Sequence, residues 1–163
     1  MKHGRKPKSS WYVPPEAPEE TTFVCRTCGA ILTKTLRRQR FLDTHAQDYT
    51  GPLVPEGTYW IVTRGHLPTW FDGRQIDFMG CYAVHPEALV GVGKHPDRKR
   101  WNGCCGPSGT GGHNRVCHCG REIGTERSDC MWPIAIYLDP QTVKPTFNDA
   151  EQCDAHEALD QPS

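Results

Sequence analysis

The sequence predicts a small β-rich domain, α+β at most, of short antiparallel strands joined by long loops. Three observations lead there. Only 36% of the 163 residues are hydrophobic, so the apolar core is modest for the length. Sixteen glycines and 14 prolines interrupt the chain, which favours turns and short strands over long helices. Five of the nine cysteines fall between Trp101 and Trp132, in a glycine-rich stretch with almost no aliphatic side chains. Such a stretch has no apolar face to bury, so another force must hold it.

Residues 1–20 read as a basic, proline-rich arm, carrying Lys2, Arg5, Lys6 and Lys8, then Pro14, Pro15 and Pro18. The domain proper is expected over 21–146. It opens with Phe23 and Val24, which lead into Cys25-x-x-Cys28-Gly29, and Ala30–Leu36 leaves as a strand rich in β-branched residues. The polar loop 43–57 contains two prolines, at 52 and 55. Thr58–Arg64 is a strand, Gln75–Met79 a shorter one, and Pro86–Val90 a single helical turn. Cys81 stands alone and reads as a small buried hydrophobe. Ile134–Leu138 is the clearest strand, stopped by Asp139-Pro140. Residues 147–163 form an acidic tail with Asp149, Glu151, Asp154, Glu157 and Asp160 and no lysine or arginine. A frayed helix over 146–159 would carry Cys153 and His156. Arm and tail read as solubilising ends.

The cysteine spacing carries the chemistry. Cys25-x-x-Cys28-Gly29 has the form of a zinc knuckle, two thiolates at a tight turn whose glycine takes the left-handed conformation. A redox Cys-x-x-Cys would open a helix, whereas Thr33 and Thr35 favour a strand. Cys117-His118-Cys119-Gly120 is a tighter version of the same turn. Together they are the two halves of a zinc-ribbon-like core, with Cys25, Cys28, Cys117 and Cys119 sharing one ion. The intervening 88 residues would carry the central strands. Cys104, Cys105 and Cys130 suit a second zinc with one histidine, His95 ahead of His113. Adjacent cysteines seldom both reach one ion, so Cys104 or Cys105 has the alternative of serving the first site. The expected cofactor is one or two zinc ions.

The net charge is zero, so no whole-molecule field points to nucleic acid or membrane. No apolar run approaches the ~20 residues that cross a bilayer, and no apolar stretch follows the N-terminal charges, which predicts a cytoplasmic protein. His-Glu-x-x-His and Gly-x-Ser-x-Gly are absent, and Gly91-Val92-Gly93-Lys94 lacks the outer residues of a phosphate loop. The expectation is therefore a zinc-stabilised binding or adaptor protein with a protein partner, the glycine loop Gly106–Asn114 being the candidate surface. Two rivals remain. One is nucleic-acid binding through Arg37, Arg38, Arg40, Arg98, Lys99 and Arg100 with Trp101 for stacking. The other is a metal-dependent enzyme at the Cys104/Cys130 site with Glu126 or Asp129 alongside, although those acids read more simply as a polar turn supporting the cysteines.

The series CRTCGA, HPD, NGCCG, CHCG, GTERSDC and LDP resembles a family of cysteine-rich bacterial proteins found in actinobacteria and myxobacteria. The resemblance spans about Phe23 to Val143 and is densest from His95 to Asp139. It implies that Cys25, Cys28, Cys104, Cys105, Cys117, Cys119 and Cys130 belong together with His95-Pro96-Asp97, and it favours His95 over His113 as the fourth ligand. It implies no activity.

Overall fold

A computed structural model of the chain describes residues 17–42, 51–63, 78–130 and 132–147. The expected tail helix and most of the expected strand Gln75–Met79 lie outside those residues. The described chain is β-rich, as expected. Ten strands run in order: β1 (Glu20–Thr21), β2 (Phe23–Cys25), β3 (Leu36–Arg38), β4 (Thr58–Ile61), β5 (Tyr82–Val84), β6 (Val92–Lys94), β7 (Arg115–Cys117), β8 (Glu122–Arg127), β9 (Ala135–Leu138) and β10 (Val143–Pro145). Among the described residues, helix is limited to two single turns of 3₁₀ type, η1 (Pro86–Ala88) and η2 (Arg98–Trp101).

Eight strands form one sheet in the order β1-β3-β4-β5-β9-β8-β7-β6, and β10 pairs with β2 in a separate ribbon. All pairs are antiparallel except β3 with β4, where Arg37 lies opposite Thr58. That exception has a chain-path cause: 19 residues separate the two strands, enough for the chain to return to the same end.

Period-two alternation in the central strands builds a core on both faces of the sheet. Tyr59, Ile61, Tyr82, Val84, Ile136 and Leu138 point to one face, where they meet Phe23, Leu32, Leu36, Ile123 and Val143. Trp60, Val62, Ala83, Ala135 and Tyr137 point to the other, with Leu53, Val54 and Phe78. Phe78 stacks on Tyr137 with ring centroids 3.9 Å apart. Cys81 packs half-buried against this second cluster. Cys25 and Cys117 belong to the first cluster, so the larger core ends on sulfur.

The ribbon of β2 and β10 covers that first face. Its register sets Val143 opposite Cys25 and Pro145 opposite Phe23. The Thr21 hydroxyl donates to the Thr146 carbonyl at 2.6 Å and the Thr146 N–H donates to the Thr22 carbonyl at 2.9 Å, which ties the two ends of the described chain together. β6 and β10 are three residues each, too short for a readable hydrophobic alternation.

Candidate metal centres

Two turns of nearly equal construction face each other. At the first, the Gly29 N–H donates to the Cys25 carbonyl at 2.8 Å and the Cys25 N–H donates to the Ala30 carbonyl at 2.9 Å. At the second, the Gly120 N–H donates to the Cys117 carbonyl at 2.8 Å and the Cys117 N–H donates to the Arg121 carbonyl at 2.9 Å. Gly29 and Gly120 hold φ of 75° and 87°, values that a side chain disfavours. Each turn therefore closes over its own pair of cysteines and aims both sulfurs the same way.

The result is a four-sulfur group. The Sγ atoms of Cys25, Cys28, Cys117 and Cys119 all lie within 4.8 Å of one another. Cys25 to Cys119 is 3.8 Å and Cys28 to Cys117 is 3.5 Å. Four thiolates around one tetrahedral ion at 2.3 Å would stand about 3.8 Å apart, so the protein's own packing already approaches that spacing. Cys25 and Cys117 are buried while Cys28 and Cys119 are exposed, which leaves the group half in the core and half at the surface. Burial raises the Cys25 thiol, but the backbone N–H groups of Cys28 and Thr27 outweigh it and bring the value to about 7. Burial pushes the Cys117 thiol up to about 12. Of the two buried thiols, Cys25 is thus the more readily ionised. A divalent cation would favour all four thiolates.

The second group comprises Cys104, Cys105, Asp129 and Cys130, whose ligand atoms also lie within 4.8 Å of one another. The structure brings Cys104, Cys105 and Cys130 together, with Cys105 and Cys130 joined as a disulfide and Cys104 free. One expectation needs correcting. The fourth member is Asp129, not a histidine. His95 turns elsewhere: its Nε2 is 2.9 Å from Glu122 and its Nδ1 accepts the Asp97 N–H at 3.0 Å. His113 sits between Thr125 and Asp139, at 2.9 and 3.0 Å. The alternative that sent Cys104 or Cys105 to the first group does not occur either.

Asp129 organises the second group. One carboxylate oxygen accepts the N–H groups of Cys105 at 3.0 Å and Cys130 at 2.8 Å, and the Cys104 thiol lies 3.4 Å from it. The first two bonds, together with the thiol, hold the Asp129 carboxyl below its ordinary value despite some desolvation. Glu126, the other acid considered for catalysis, is occupied: Arg115 donates to it at 2.6 and 3.0 Å.

The glycine loop between the groups is exposed at Thr110, Gly111 and Gly112 and packed at its two ends. A side chain at Gly106 would meet Ser128 at 2.7 Å, and one at Gly111 would meet the Lys99 carbonyl at 2.7 Å. The loop ends at Asn114, which is fully buried. Its amide donates to the Glu126 carbonyl at 2.9 Å and accepts the Glu126 N–H at 2.6 Å, mending the ladder where β7 and β8 shift register between Arg115 and Val116. Asn114→Ala should therefore cost about 1–3 kcal/mol by leaving buried backbone groups unpaired, measured by urea unfolding.

The hydrogen bond with His113 holds the Asp139 carboxyl below its usual value against partial burial, helped by the Gln141 N–H. A carboxyl lowered on folding contributes stability above its unfolded value, about 3.9, and loses that contribution as pH falls through the folded value. Asp139→Asn is thus expected to cost ~1 kcal/mol at neutral pH. The gap between variant and wild type should close below about pH 4, as read by unfolding curves from pH 7 to pH 3.

Of the basic residues considered for nucleic acid, Arg40 pairs with Glu19 and Arg38 donates to the Ala17 carbonyl at 3.2 Å. Arg100 is 3.3 Å from Glu122 and donates to the His113 carbonyl at 2.9 Å. Trp101 has Lys94 and Arg115 over its ring at 5.1 and 5.4 Å, and donates its indole N–H to the His95 carbonyl at 3.0 Å.

Fold and sites together define a β-rich, cysteine-rich protein with two groups of side chains able to hold a metal ion. Among the described residues no helix is long and apolar enough to cross a membrane. Comparison with protein-family models, with curated proteins and with solved structures gave no match.

Proposed function

We propose that the protein is a zinc-stabilised binding or adaptor module of the bacterial cytoplasm, with a zinc-ribbon-like centre at Cys25, Cys28, Cys117 and Cys119 and a protein partner. One observation carries this reading: two separate knuckles bring four sulfurs within 4.8 Å of one another at the end of the core. Four protein thiolates fill the coordination sphere of zinc and leave no open position for a substrate or an activated water, which is the mark of a structural site. All-sulfur ligation favours zinc over harder cations.

The surface beside the knuckles supports a binding role. A cleft of about 570 Å³ is lined by Arg26, Tyr82, Lys144, Thr146 and Phe147, and Phe147 is 52% exposed. Cationic and aromatic groups side by side suit an acidic peptide segment. The test is fluorescence binding of acidic and basic peptides and of a single-stranded DNA oligonucleotide. Acidic-peptide binding that is lost in Arg26→Glu/Lys144→Glu is expected. Binding of DNA alone, falling steeply with salt, would overturn the reading in favour of a nucleic-acid protein.

A further inference from the structure

The second cysteine group lies apart from the knuckles and has a different make-up. Three sulfurs and a carboxylate converge, and Cys104, Cys105 and Cys130 are all exposed. Cys104 stands 3.4 Å from both Cys105 and Cys130, within a few tenths of an ångström of the about 3.8 Å expected for thiolates on one zinc. Two of the three sulfurs also meet in a disulfide. One constellation thus serves two chemistries that exclude each other, because both require Cys105 and Cys130.

We propose that Cys104, Cys105, Cys130 and Asp129 form a releasable zinc site, loaded when the cysteines are reduced and emptied when Cys105 and Cys130 join. Three thiolates and one carboxylate complete a four-coordinate shell. Asp129 takes a double part. Its bonds to the Cys105 and Cys130 N–H groups fix both loops in either state, so the sulfurs stay within reach of each other when the ion leaves.

The oxidant is a low-molecular-weight disulfide, R–S–S–R. The Cys105 thiolate attacks one of its sulfurs, forming a mixed disulfide and expelling one R–S⁻. The Cys130 thiolate then attacks the Cys105 sulfur, forming the intramolecular bond and expelling the second R–S⁻. Two protein thiolates lose two electrons, the external disulfide gains two, and the divalent cation departs with the loss of half its donors. All three cysteines here are open to the oxidant, whereas in the knuckle group each exposed cysteine, Cys28 or Cys119, shares its turn with a buried one, Cys25 or Cys117.

The experiment uses the full chain, reduced, loaded with zinc under anaerobic conditions and freed of excess metal. Zinc per chain is measured before and after oxidised glutathione, and disulfides are mapped by peptide mass spectrometry. The expected result is two ions falling to one, with a single new Cys105–Cys130 disulfide, and two again after reduction and reloading. Cys105→Ser should hold one ion throughout, indifferent to the oxidant. A reduced wild type with one ion and a Cys105→Ser variant also with one would overturn this proposal while leaving the knuckle site intact. Retention of both ions while the disulfide forms would likewise overturn it. A Cys105→Ser variant with no ion would instead count against the knuckle site.

Discussion

Cys117→Ser should leave the chain largely unfolded at 25 °C even with zinc present. Cys117 is 2% exposed, ends β7 and belongs to the main core cluster. Serine would remove one of four donors and place a hydroxyl among apolar side chains. A structural zinc contributes on the order of 10 kcal/mol, against a net stability of ~5–15 kcal/mol for a whole domain. Without the ion, the two turns that meet there keep their own backbone bonds, the bonds of Arg26 to Pro140, Thr142 and Val143, and the packing of Cys25 and Cys117 in the core. Far-UV circular dichroism and amide dispersion in NMR spectra read the outcome. Cys81→Ser is the control: Cys81 lies in neither metal-competent group and its replacement should leave zinc content unchanged.

Phe23→Ala carries the second large effect, at about 3–5 kcal/mol. Phe23 is fully buried, stands edge-on to Tyr59 at 5.2 Å between ring centroids and lies 4.5 Å from Tyr82. With Cys25 and Val143 it packs the β2–β10 ribbon against the sheet, two residues before the first knuckle cysteine. Truncation opens a cavity between the ribbon and β4–β5 that the surrounding rings cannot close. Chemical unfolding at saturating zinc should show the loss with the zinc count unaltered, whereas Phe23→Leu should lose less than half as much.

These two residues also mark what could be read in advance. The Cys-x-x-Cys-Gly and Cys-x-Cys-Gly turns announce themselves locally, because the spacing and the glycine together dictate where both sulfurs aim. Their pairing across 88 residues followed from the shared form, and the structure brings those four sulfurs together. Thr58–Ile61 and Ala135–Leu138 were legible as strands from their aromatic and β-branched content. β5, β6 and β10 were not, because three residues carry too little alternation and tertiary pairing decides their state. The second group was half legible. Its cysteines cluster in sequence, but the choice of Asp129 over His95 depends on the loop path. His95 is drawn away by Glu122 and by the N–H of Asp97, while Asp129 adjoins Cys130 and also takes the Cys105 N–H. The Gly106–Asn114 loop was legible only in part: its centre at Thr110–Gly112 is exposed, while Ser128 and Lys99 lie close against Gly106 and Gly111, because glycine permits close packing as well as exposure.

The proposed function requires Cys25, Cys28, Cys117 and Cys119 to hold one zinc ion through four sulfurs. Zinc-edge X-ray absorption on the Cys104→Ser/Cys105→Ser/Cys130→Ser variant tests it most directly, since only the knuckle cysteines and Cys81 and Cys153 then remain. One zinc per chain is expected, with four sulfur neighbours at about 2.3 Å and no oxygen or nitrogen in the shell. A shell containing oxygen or nitrogen, or folded protein without zinc, would contradict it.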